Sequence, residues 1–143
     1  MGREKGVKNF MSVPKSRRSE SKAEFLNKCR ELKLMTYKKC AKLPKRLQAS
    51  LGNSLISQAT NVKRYVTKAN NIFPISTKGE YEERRKGFKL ALAELNSMSS
   101  DVDDLYDLAN YDSNAIGEWQ DLIDVTFALV KGVLDSDARS YKF

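Results

Sequence analysis

Histidine is absent from this sequence. With it go the commonest general base near neutral pH, the usual zinc ligand and every Ser-His or Cys-His nucleophile pair. Proline occurs three times and glycine seven times in 143 residues, too few for an all-β chain and its many turns. The glycines at 52, 79, 87, 117 and 132 stand singly, so there is no glycine-rich loop to cradle phosphate. No apolar run is long enough to form a membrane-spanning helix. The first dozen residues are basic and polar, without the apolar stretch of a secretory signal.

Cysteine is nearly missing too, with only Cys29 and Cys40. On one helix the two would share a face but lie about 16 Å apart along the axis. A disulfide spans about 7 Å between Cα atoms, so they cannot bridge. Free, buried thiols in a reducing cytoplasm are the expectation.

What is present is charge, and it is unevenly spread. The chain carries 26 Lys/Arg and 18 Asp/Glu, a net +8. Residues 1–50 hold fifteen basic against four acidic side chains, or +11; residues 51–100 hold eight against four, or +4; residues 101–143 hold three against ten, or −7. A sorted charge of this kind points to an anionic partner at one end, and it permits basic-to-acidic contacts between copies.

Apolar residues make up 41% of the chain and recur at three-and-four spacing, which predicts amphipathic helices. Residues 1–20 read as a flexible basic arm, and residues 21–140 as one four-helix domain. Ser21 and Glu24 form a capping-box pattern for helix 1, whose stripe is Phe25, Leu26, Cys29, Leu32, Met35, Thr36 and Cys40. Pro44 interrupts. Helix 2 is expected from about Lys45 to Ile72, on Leu47, Leu51, Leu55, Ala59, Val62, Val66, Ala69 and Ile72. Pro74 and a polar run end it, and Thr77 with Glu80 caps helix 3.

Helix 3 carries Tyr81, Phe88, Ala91, Leu92, Leu95, Met98, Val102, Leu105 and Ala109, with a weak point at Asn96–Ser100 where a kink or break is expected. A turn at Asn110–Ser113 leads into helix 4, on Ile116, Trp119, Ile123, Phe127, Val130, Val133 and Leu134. Four such stripes are buried most simply in an all-α, antiparallel up-down-up-down bundle. Leu34, Tyr37, Tyr65 and Leu122 fall off the main stripes; they mark either a contact surface between copies or a wider core face.

No catalytic residue, metal ligand set or cofactor motif emerges. Asp101, Asp103, Asp104 and Asp107 cluster, but a calcium loop needs a glycine and a distal glutamate at fixed offsets. A solvated helical face is the better reading. The positive signal is the basic residues. Lys38 and Lys42 are one turn apart, as are Arg64 and Lys68, and Lys45, Arg46, Lys63, Arg84 and Arg85 extend the series, with Arg17 and Arg18 on the arm. Like charges at that spacing repel each other until a phosphate backbone crosses them and releases its counterions. No base-reading element accompanies them, so RNA and DNA would be held through the backbone with little sequence preference. The residues alone leave open a pure protein-interaction module, whose basic face meets an acidic protein.

Four segments carry a resemblance: Ser12-Val13-Pro14-Lys15-Ser16-Arg17-Arg18, the helix from Phe25 to Lys42, Ala69-Asn70-Asn71-Ile72-Phe73-Pro74, and Glu80 through Arg84-Arg85. Over about residues 12–140 the chain resembles the accessory variability determinant proteins of diversity-generating retroelements. Those are related in fold to the bundle proteins encoded within ribosomal RNA intervening sequences, which makes an rRNA- or ribosome-associated protein the second expectation. The resemblance implies a homopentameric barrel that binds the retroelement reverse transcriptase together with template RNA and cDNA. It implies support of error-prone copying without performing the polymerisation.

Overall fold

From Lys15 to Cys40 the sequence has neither proline nor glycine and is rich in Lys, Arg, Glu and Leu, all good helix formers. That whole stretch is helix α1, Lys15–Cys40. The computed structural model describes residues 15–143, and side chains from residue 24 onward. Residues 1–14 of the expected arm therefore lie outside the described residues. Its last part, residues 15–20, is helical, so Ser21 sits inside α1 and does not cap it. The residues after Pro14 lack a breaker, and the helix runs back through them.

Pro44 ends α1 as expected. A short turn, α2 (Lys45–Leu47), leads through a π-helical segment, Gln48–Gly52, into α3, Asn53–Asn70. The one-turn π segment has visible causes. Gln48 Nε2 donates to the carbonyls of Ala41 and Leu43 at 3.1 and 2.8 Å, tying the start of the helix to the end of α1. Cys40 Sγ donates to Gly52 O at 3.6 Å, and a Cβ on Gly52 would stand 3.3 Å from Leu47 O.

The Phe73–Pro74 peptide is cis, and Ile75 is buried after it. Helix α4, Lys78–Ala109, opens on the expected capping box. Glu80 N donates to Thr77 Oγ1 at 3.1 Å, and Glu80 Oε1 accepts from the backbone N–H groups of Ser76 and Thr77. Those bonds, first from Ser76, hold the Glu80 carboxyl below its ordinary range.

No break occurs at Asn96–Ser100; α4 runs through it. Met98 is fully buried there, Ser97 Oγ accepts from Gln58 at 2.8 Å, and Ser99 Oγ donates to Gln120 at 2.9 Å. Tertiary partners satisfy the hydroxyls that would otherwise compete for the helix backbone. Asn110, at φ 49°, takes the left-handed position after α4, which asparagine tolerates. Asp112 then caps α5, Ser113–Ser140, by accepting from Asn114 N at 3.1 Å.

The only regular structure among the described residues is helical, with four long helices and no strand. Around the core α1 packs on α3 and α5, and α4 packs on the same two. Leu32, Leu55, Val62, Phe88, Leu95, Val102 and Trp119 are fully buried between them. Trp119 Nε1 donates to Thr36 Oγ1 at 3.1 Å, and that hydroxyl donates to Leu32 O at 2.7 Å, so the buried polar atoms of this pair are satisfied. The α3–α4 seam is close at Gly87, where a Cβ would stand 2.9 Å from Ala69 Cβ. Of the off-stripe residues, Tyr65 and Leu122 pack against the core, while Leu34 and Tyr37 are about half exposed. The wider core face holds for Tyr65 and Leu122.

Both cysteines are free and buried on α1. Burial pushes the Cys29 thiol up to about 12 and the Cys40 thiol up to about 11. Thiols so hard to ionise are core residues without nucleophilic character.

Candidate nucleic-acid interface

Helix geometry collects four cations into one place. On α3, Lys63, Arg64, Thr67 and Lys68 occupy successive positions of the face beside α1, with Thr60 one turn earlier. Lys33 joins them from α1. Together these residues line an open groove of about 290 Å³. Among the described residues no ion pair engages Lys33, Lys63, Arg64 or Lys68. Four cations without carboxylate partners are destabilised by each other and stabilised by an anion laid along them. The Thr60 hydroxyl donates to Ile56 O at 2.8 Å.

Lys33 escaped the sequence reading. Within α1 it follows the core residue Leu32 and shares no helical spacing with the basic pairs. Only the packing of α1 on α3 brings it to Lys63 and Arg64. The sequence offered only its place next to a buried stripe residue, at the edge of the apolar face.

The remaining expected residues divide. Lys38 and Lys42 are exposed on and just after α1, and Lys45 and Arg46 are exposed on α2, within the α1–α3 connection. They form a second basic region at the end of the bundle where α1 stops. Lys39 is not part of it: its ammonium is 2.7 Å from Glu118 and holds that carboxyl below its ordinary range. Arg85 lies elsewhere, in a groove of about 500 Å³ on α4 lined also by Glu82, Lys86, Lys89 and Leu90. The side chains of Arg17 and Arg18 lie outside the described ones.

Arg84 is a correction. It is only 7% exposed and cannot reach a phosphate. Its Nε donates to Asp137 Oδ2 at 2.7 Å, and its Nη1 donates to Ala69 O and Ile72 O, both at 3.3 Å. The guanidinium also lies over the Phe88 ring, 5.0 Å from its centroid. Ala69 O, in the last turn of α3, also accepts from Ile72 N at 3.1 Å, and a cation there meets the negative end of the helix dipole. Arg84 therefore ties α4 to α3 and α5.

The aspartates at 101, 103, 104 and 107 lie on α4. Asp101 accepts from Gln58 at 3.1 Å and Asp103 from Gln120 at 2.8 Å, so two of the four serve helix packing. Among the described residues no group of three His, Cys, Asp or Glu side chains could hold a metal ion. No described helix is long and apolar enough to cross a membrane.

No family model, curated protein or solved structure matches this chain.

Proposed function

We propose that this protein is a non-catalytic, cytoplasmic accessory of a diversity-generating retroelement. It binds template RNA and cDNA through its basic surface and associates with the reverse transcriptase to support mutagenic copying. The observation that carries the nucleic-acid half is the α1–α3 groove, with Lys33, Lys63, Arg64 and Lys68 and no carboxylate lining it. The retroelement half rests on the sequence resemblance over residues 12–140.

The bundle of this proposal is antiparallel and up-down-up-down. Side-chain contacts support that path, because along α3 the partners on α4 fall in reverse order: Gln58 meets Asp101, Asn61 meets Glu94 and Ala69 lies against Gly87. Five copies form the working particle. Exposed Leu34 and Tyr37 on α1, and the opposite charges of the two ends of the chain, support contacts between copies. Light scattering at micromolar concentration and moderate salt is expected to give about five times the 16.2 kDa of one chain. A monomer under those conditions would remove the particle.

Reversing Arg64 and Lys68 to Glu tests the binding face. The pair is expected to weaken single- and double-stranded nucleic acid of every sequence alike. The slope of log affinity against log salt should fall by about 0.7–0.9 for each phosphate no longer neutralised, while helicity is unchanged. Lys33→Glu is expected to act in the same sense. Neutralising Asp121 and Asp124 on α5 should leave binding intact. If affinity and salt slope survive the reversal, the groove is a docking face for an acidic protein.

A further inference from the structure

An aromatic cluster sits where α5 ends and α4 begins, and neither the core nor the basic groove accounts for it. Tyr141 follows the last turn of α5 with extended backbone, φ −117° and ψ 124°. In extended chain, residues two apart project to the same side. Tyr141 and Phe143 therefore face one way, with their rings parallel to within 4° and their centroids 6.2 Å apart. Tyr81, from the first turns of α4, closes the group at 6.1 Å from Tyr141 and 5.6 Å from Phe143. The burial is partial. Phe143 remains 54% exposed, and neither tyrosine is buried.

The second observation is what stands beside these rings. Tyr81 is one helical turn before Arg85 and two before Lys89, a rise of about 6 Å per step along the same side of α4. Arg85, Lys86 and Lys89 line the α4 groove of about 500 Å³, in which Glu82 is the single carboxylate. Arg85 is held in place by donating to Leu134 O at 3.4 Å. A set of accessible ring faces continuous with a cationic track is the arrangement that proteins use to hold unpaired nucleic-acid strands. The track takes the phosphates and the rings stack on bases of any identity. A duplex offers the same phosphates but keeps its bases stacked on each other.

We propose that Tyr81, Tyr141 and Phe143 form a base-stacking platform for single-stranded nucleic acid, served by the Arg85–Lys86–Lys89 track. This rests on the nucleic-acid reading above and deepens it: the α1–α3 groove holds phosphates of any strand, and the platform selects the unpaired state.

The test uses the full chain and two probes matched in phosphate number, an oligouridine strand and a duplex. Tyr141→Ala with Phe143→Ala is expected to weaken the single strand about fivefold to 150-fold, the range set by unstacking one base. The duplex affinity and both salt slopes should stay as they were, since no cation is removed. Tyr141→Phe with Phe143→Trp keeps the ring faces and is expected to retain single-strand binding, which a role carried by the Tyr141 hydroxyl would not. Circular dichroism checks that α5 is intact. Equal losses on both probes, or no loss on either, overturn the platform while the basic groove stands. A wild-type protein that binds neither probe overturns the platform and the nucleic-acid reading together.

Discussion

Replacing Arg84 with Ala is expected to cost about 3–5 kcal/mol of unfolding free energy, because it leaves a carboxylate without its partner inside the bundle. Asp137 loses a 2.7 Å charge-assisted bond, the carbonyls of Ala69 and Ile72 lose their common donor, and the Phe88 ring loses the cation above it. Urea unfolding followed by circular dichroism, at fixed protomer concentration, measures this directly. The double change Arg84→Met with Asp137→Leu should lose less than Arg84→Ala alone, since it removes both charges from the low-dielectric site. An Arg84 on a phosphate-binding face would behave oppositely. Its removal would leave stability nearly unchanged and lower the salt slope of nucleic-acid binding by about 0.7–0.9.

Truncating the central stripe residues is the second large effect. Leu55 on α3 and Leu95 on α4 are both fully buried. Each Leu→Ala change removes transfer free energy and leaves a cavity that four helices, packed on all sides of it, close only in part. A loss of about 2–5 kcal/mol is expected at each position. Leu108, 59% exposed near the end of α4, is the internal control, and its truncation should fall within about half a kcal/mol of neutral. Losses below that at both Leu55 and Leu95 would mean that the buried faces are other than described.

The stripes were legible because burial of a helix is periodic and the period is written in the order of residues. Phe25, Cys29, Leu32, Val62, Leu95, Trp119 and Ile123, chosen by spacing, are all buried. The Thr77–Glu80 cap was legible for a similar reason: its donors and acceptors are three residues apart and need no other element. The Ser21–Glu24 pattern has the same spacing and caps nothing, because a cap forms only where the helix ends, and α1 continues to Lys15.

The candidate site was legible only in part. Lys63, Arg64 and Lys68 are neighbours on one helix, so spacing found them. Lys33 faces them from another helix, and no count along the chain could pair it. Arg84 and Arg85 look alike in sequence, yet one residue step on α4 turns them about 100° apart. Arg84 points inward to Asp137, 53 positions away, and Arg85 reaches the α4 groove.

What the sequence determined by itself was governed by contacts within a few residues: helical class, much of the buried stripes, most of the helix boundaries, and an uneven charge with an excess of cations. What only the tertiary structure decided was which cations remain available. A charge is free or spent according to partners that approach from distant segments, and the energy of that pairing is set by burial, which no local pattern records. The carbonyls closing α3 and the carboxylate of Asp137 claim Arg84, Glu118 claims Lys39, and Lys33 is left to complete the groove.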